Sequence, residues 1–210
     1  ECLGIVGESG SGKSTLANII MNLEKADSGT VLLNNKDITN IKSNKLKEIY
    51  KDIQMVFQDA IGSFNPRFTI EESIMEYVCN LCSTTEADKK HKVDNLLRMV
   101  GLSKEYKYRY PHELSGGQCQ RAAIARALSA QPKILVCDEA TSALDVSVQA
   151  QIVELLKEMQ EKMNISYLFI THDLALVSSF CDRVAVMKNG KIVEVGDAKE
   201  VINNPKDEYT

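Results

Sequence analysis

The stretch Gly7-Glu8-Ser9-Gly10-Ser11-Gly12-Lys13-Ser14-Thr15 follows directly on a short apolar run, Leu3-Gly4-Ile5-Val6. It leads into residues 13–23, where Leu16, Ile19, Ile20 and Leu23 recur at helical spacing. This is the pattern G-x-x-x-x-G-K-[ST] in the strand–turn–helix setting that it requires. Glycines let the backbone turn tightly enough for successive N–H groups to point inward at phosphate oxygens. The start of the helix adds positive potential. Lys13 is placed to reach β- and γ-phosphates, and the Ser14 hydroxyl to ligate Mg²⁺. A glycine- and serine-rich turn ahead of a helix is the plain alternative, but it does not require Lys13 and Ser14 at those positions. A nucleotide site is expected.

Composition sets the frame for that site. Apolar residues make up 44% of the 210 positions and charged residues 26%, which excludes a disordered or collagen-like chain. No apolar run approaches the roughly 18 residues of a membrane span. Residues 1–20 show no basic-then-apolar leader. The net charge of -4 comes without a polybasic arm, so a nucleic-acid partner is not expected. Together these predict a soluble intracellular domain. The six cysteines (Cys2, Cys79, Cys82, Cys119, Cys137 and Cys181) are then expected to be reduced. Cys79 and Cys82 form a C-x-x-C, with His91 nine residues on. No second pair completes a zinc site, so they read as small apolar residues of a helix.

Along the chain, Thr30–Leu33 and Ile53–Phe57 read as short strands. From about Thr69 to Ala130 the character becomes helical, with Val93, Leu96, Leu97 and Val100 on one face. Strand-like runs return at Ile134–Cys137 and Tyr167–Ile170. Between them Val148, Ile152, Leu155, Leu156, Met159 and Met163 mark a long amphipathic helix. Arg183–Val195 reads as a hairpin turning at Asn189-Gly190. Short buried strands alternating with helices predict a mainly parallel α/β sheet with a helical insertion. The expected division is 1–68 with 131–210 as the core and 69–130 as the inserted helical subdomain. Glu1 opens directly on the first strand, so an excerpt of a longer protein is expected, truncated at both ends.

Two further stretches carry chemistry. Ile134-Leu135-Val136-Cys137 runs into Asp138-Glu139. An acid at the end of a neighbouring strand can hold Mg²⁺, and a second can take a proton from water attacking a γ-phosphate. Leu114-Ser115-Gly116-Gly117-Gln118 precedes an alanine-rich helical stretch, with Ser115 as N-cap and two glycines exposing N–H groups. This second anion-binding helix start lies about a hundred residues after the first. Either the chain takes two ligands, or the second start serves a nucleotide held by another subunit.

In combination these stretches resemble the ATP-binding subunits of ABC transporters over nearly the whole chain. The glycine loop (Walker A), Gln58 after an apolar strand (Q-loop), LSGGQ (signature), ILVCDE (Walker B), Ser142-Ala143-Leu144-Asp145 (D-loop) and His172 after a strand (H-switch) come in the family's order. The resemblance implies an ABC ATPase fold, a P-loop NTPase core whose N-terminal strands are missing here, together with the adenine-stacking aromatic. ATP and Mg²⁺ are the implied cofactors. It assigns nucleotide contacts to Gly7–Thr15, and to Ser115, Gly116, Gly117, Gln118 and Asp145. Metal contacts fall to Ser14, Gln58 and Asp138, and catalytic roles to Glu139, His172 and Gln58.

Phe57-Gln58-Asp59-Ala60-Ile61-Gly62-Ser63-Phe64-Asn65-Pro66-Arg67 and the ending Asn204–Thr210 resemble the oligopeptide, dipeptide and nickel importer ATPases more closely. Ala60 stands where that subfamily usually carries proline, and Arg67 points to the second of the two ATPases that such importers often carry. The implied protein is peripheral on the cytoplasmic face of the membrane. Its implied partners are a second ATPase subunit in a head-to-tail homo- or heterodimer, membrane permease subunits and, indirectly, an extracellular or periplasmic substrate-binding protein. The alternative is a non-transport ABC ATPase acting on DNA or ribosomes. An inactive nucleotide-binding scaffold is a third reading, opposed by the intact Lys13, Asp138, Glu139 and His172.

Overall fold

A computed structural model of the chain describes residues 1–39, 41, 43–81 and 86–210. The order of elements is β1 (Cys2–Val6), α1 (Lys13–Ile20), β2 (Leu32–Leu33), β3 (Lys36–Asp37), α2 (Ser43–Asp52), β4 (Ile53–Val56), α3 (Ile70–Leu81) and α4 (Glu86–Met99). After two short 3-10 turns come α5 (Gly116–Leu128), β5 (Ile134–Asp138), α6 (Val146–Met163), β6 (Ser166–Ile170), α7 (Leu174–Phe180), β7 (Arg183–Lys188), β8 (Lys191–Asp197) and α8 (Ala198–Asn203).

Six strands form one sheet in the order β4-β5-β6-β1-β7-β8. All neighbours run parallel except β7 and β8, the antiparallel hairpin. The strands are apolar at successive positions because both faces of the sheet are covered. Alternate residues go to opposite layers. Leu135, Cys137, Tyr167 and Phe169 join one core, and Val136, Ile170, Ile5 and Met55 join the other. The second layer holds α1, α2 and the β2–β3 hairpin; the first holds α3 to α8. Phe180 of α7 packs its ring against Tyr167 at 5.5 Å and edge-on to Phe169 at 5.2 Å, locking α7 beneath β6.

Val93, Leu96, Leu97 and Val100 are buried together, as their spacing predicts, against Ile70, Ile74 and Val78 of α3 and the alanine-rich side of α5. The buried Arg126 of α5 ties this helical region to the loop after β4. Its guanidinium donates to the Ser63 carbonyl at 2.6 Å and hydroxyl at 2.9 Å, and lies 4.3 Å from the Phe64 ring.

Two local expectations are revised and three helices are added. The first helix stops at Ile20, because Asn22 takes a left-handed φ of 56°, and Leu23 is 52% exposed. The strand at Thr30–Leu33 shortens to Leu32–Leu33 and pairs with the unanticipated β3. Asn34 and Asn35, at φ 50° and 61°, make the turn. Helices α2, α7 and α8 are additional. The four cysteines Cys2, Cys119, Cys137 and Cys181 are free and buried. Cys82 lies outside the described residues, so the Cys79–Cys82 reading does too. Among the described residues no helix is long and apolar enough to cross a membrane.

Candidate nucleotide site

The carboxyl ends of β1, β5 and β6 open on one edge of the sheet, which is where open α/β sheets bind ligands. The glycine loop leaves β1 there. A Cβ on Gly7 would lie 2.1 Å from the Met187 carbonyl oxygen, so only glycine allows the loop to pass so close to β7. Gly12, at φ 102°, is the residue before α1 and needs the left-handed freedom of glycine. The hairpin turn of β7–β8 braces the loop, as the Gly190 N–H donates to the Ser11 carbonyl at 2.9 Å.

Lys13 is buried at the first turn of α1 and curls back over the loop. Its ammonium donates to the carbonyls of Gly7 at 2.8 Å and Glu8 at 2.9 Å, with the Ser11 hydroxyl at 3.5 Å. A buried cation needs such partners, and these carbonyls satisfy it. Next to it the Ser14 hydroxyl donates to Asp138 Oδ1 at 3.0 Å. Burial pushes the Asp138 carboxyl above the usual carboxylate range; the Ser14 bond opposes this, nearby Glu139 adds to it, and Lys13 opposes it.

Glu139 follows at a left-handed φ of 46°, a conformation uncommon for a non-glycine residue and one that clusters at functional sites. Its two carboxylate oxygens face different neighbours. Gln58 Nε2 donates to Oε2 at 3.1 Å, and His172 Nδ1 lies 3.6 Å from Oε1. Gln58 also reaches the Ser142 hydroxyl at 3.3 Å, and that hydroxyl donates to the Glu139 carbonyl at 3.0 Å. Four stretches that are remote in sequence therefore meet here: the loop after β1, Gln58, Asp138-Glu139 and His172.

Ser115 and Asp145 sit at two helix starts. Ser115 caps α5, accepting from the Gln118 N–H at 3.3 Å while Gln118 Oε1 accepts from the Ser115 N–H at 3.0 Å. Asp145 caps α6, accepting from the Val148 N–H at 3.0 Å and the Ser147 hydroxyl at 2.6 Å, and these bonds, the hydroxyl first, lower its pKa. Ser115, Gly116 and Asp145 are exposed. The glycines also have a packing role that their sequence did not reveal. A Cβ on Gly117 would fall 2.7 Å from Val148 Cγ1, and one on Gly116 3.4 Å from Leu144 Cδ2. The first turn of α5 thus lies against the entry to α6.

Two site neighbours went unassigned in the sequence. Ser142 bridges Gln58 to Glu139, and the Tyr209 hydroxyl accepts the Glu8 N–H at 3.1 Å. Ser142 opens the D-loop three residues after Glu139, but no role of its own was read for it there, and Tyr209 is brought in by a contact across the fold.

A parallel sheet with a glycine-rich loop on one strand and paired acids at the end of another defines the P-loop class of α/β protein. The family described as ABC transporter matches residues 1–142, and the chain belongs to it. It is 49% identical, over its full length, to the oligopeptide transport ATP-binding protein OppF of Salmonella typhimurium, of which it spans 63%. To the dipeptide transport ATP-binding protein DppF of Lactococcus lactis it is 46% identical, again over its full length and over 68% of that protein. Among solved structures, the dimeric ATP-binding cassette MJ0796 bound to ADP and Pi superposes with a TM-score of 0.85 at 32% identity, covering 94% of this chain and 85% of that one.

Proposed function

We propose that the chain is the ATP-binding and ATP-hydrolysing part of an importer subunit for oligopeptides or dipeptides, or for nickel, acting through separate membrane subunits. The observation that carries this reading is the convergence of Ser14 on Asp138 and of Gln58 and His172 on Glu139 beside the loop that holds Lys13. Residues 1–68 and 131–210 serve as the catalytic core, and 69–130 as an inserted helical subdomain.

On nucleotide entry the Lys13 ammonium exchanges the Gly7 and Glu8 carbonyls for β- and γ-phosphate oxygens. The N–H groups of the loop from Ser9 to Thr15, at the start of α1, bind the same anion. Ser14, Asp138 and Gln58 offer a hydroxyl, a carboxylate and an amide, the hard oxygen donors that suit Mg²⁺. The fit is supported by Asp138 itself, a buried carboxylate raised by burial that accepts from the Ser14 hydroxyl at 3.0 Å, so a cation there would offset its desolvation. Bound Mg²⁺ would neutralise charge at the β- and γ-phosphates.

Glu139 accepts the proton of the attacking water. Gln58 and His172 flank its two oxygens and orient it, and His172 is 60% exposed, free to swing to the γ-phosphate. Ser115, Gly116, Gly117, Gln118 and Asp145 bind the nucleotide of a second ATPase subunit arranged head to tail. Gly116 faces Leu144 of the D-loop and Gly117 faces Val148 of the helix that follows it, which makes signature and D-loop one surface for that purpose. Permease subunits receive the closure of the dimer at the cytoplasmic face of the membrane, and an external binding protein supplies the cargo.

Glu139→Gln in the full-length protein tests the assignment. It keeps the shape and removes the base, so turnover should fall by roughly a hundredfold or more while ATP affinity, read by calorimetry, persists. Unchanged turnover would move the base elsewhere.

A further inference from the structure

The peptide group joining Gly7 to Glu8 is gripped at both ends. Its carbonyl oxygen, on Gly7, accepts from the Lys13 ammonium at 2.8 Å. Its N–H, on Glu8, donates to the Tyr209 hydroxyl at 3.1 Å, a contact between residues 201 positions apart. The peptide group is planar, so the two bonds hold one rigid plate, and turning that plate breaks both. Each bond also polarises the amide in the sense that strengthens the other.

Tyr209 is itself fastened in place. Lys188 Nζ lies 4.4 Å from the centre of its ring, and its N–H donates to Asp207 Oδ1 at 2.9 Å. The Glu194 carboxylate of β8 accepts the N–H groups of Lys206 at 2.9 Å and Asp207 at 3.1 Å, pinning the segment that presents the tyrosine. Gly7, Glu8, His172 and Tyr209 line one cavity of about 300 Å³, so the segment after α8 borders both the loop and the histidine.

We propose that Tyr209 is a positioning residue of the glycine loop. It holds the Gly7–Glu8 peptide plane, and so the carbonyl on which Lys13 rests, in the orientation from which the ammonium transfers to phosphate. This rests on the reading of that loop as the ATP site. Without the hydroxyl the plate is free to turn, the loop is less ordered before nucleotide arrives, and binding must include the cost of ordering it.

Tyr209→Phe in the full-length protein keeps the ring beneath Lys188 and removes only the acceptor. ATP affinity by calorimetry should fall roughly three- to tenfold, the range expected for one hydrogen bond. The Glu8 amide should exchange with solvent faster by NMR, with the thermal unfolding midpoint little changed. Unchanged affinity would overturn the proposal. So would an affinity loss matched by a large drop in the midpoint, because the tyrosine would then be acting on the fold as a whole. Lys13→Ala, measured alongside, separates the two levels. If Lys13→Ala leaves ATP affinity intact the ATP site itself is misassigned, whereas loss in Lys13→Ala without loss in Tyr209→Phe removes only the role of the tyrosine.

Discussion

Gly117 is pressed from two directions. Its N–H belongs to the exposed first turn of α5, and the place of a Cβ is taken by Val148 Cγ1 at 2.7 Å. Any side chain there first displaces α6, so an Asp at this position would mix a charge effect with a packing effect. Gly117→Ala should cost about 1–2 kcal/mol in denaturant unfolding, overpacking outweighing the gain in helix propensity. Adding Val148→Ala should return part of that loss, and a double-mutant cycle with no coupling would contradict the contact. Gln58 and His172 stand out only through the order of motifs in the family that the chain resembles. The glycine loop with Lys13 and Ser14 and the apolar strand ending in Asp138-Glu139 could be found in the sequence because short local patterns carry them. Tyr209, Ser142 and Arg126 could not. Their partners, Glu8, Gln58 and Ser63, lie far away along the chain, and no spacing rule joins them.

Among the elements, the short apolar strands and α6 were legible because burial on both faces of a sheet, or along one face of an 18-residue helix, leaves a strong pattern. Helix α2 does carry Leu46, Ile49 and Tyr50 at i, i+3 and i+4, but these three stand among lysines and other polar residues and went unread. Helix α7 is short with two serines and imposes no period. The segment after α8 has no periodic pattern at all, and besides the contacts of Tyr209 it is held by the Glu194 carboxylate. The N–H of Lys206, then other bonds from the same segment, keep the partly buried Glu194 below its ordinary pKa of 4.5. A depressed carboxylate contributes its stabilisation above the unfolded-state pKa and loses it as pH falls through the folded value. The segment should therefore stay docked at neutral pH and release below about pH 4.5, with Glu194→Gln loosening it at all pH values. Amide exchange at Lys206 and Asp207 across that range reads this directly, and protection that persists well below it would exclude Glu194 as the anchor.

At the scale of the whole molecule, the core places one helix start behind the glycine loop, and α5 presents another at an exposed surface. Under the proposed function the two serve different nucleotides in a head-to-tail pair. Ser115→Asp tests it without disturbing the helix, because aspartate caps as well as serine while placing a negative charge where the partner's phosphate would lie. Full-length Ser115→Asp chains should bind ATP but neither dimerise nor hydrolyse it, and Lys13→Ala chains should lack ATP binding. The decisive measurement is ATP hydrolysis in a mixture of the two. A mixed dimer joins the intact loop of one chain to the intact signature of the other, so the mixture should recover part of the activity that each variant lacks. A mixture as inactive as its components, with ATP binding already lost in Ser115→Asp alone, would contradict the shared site.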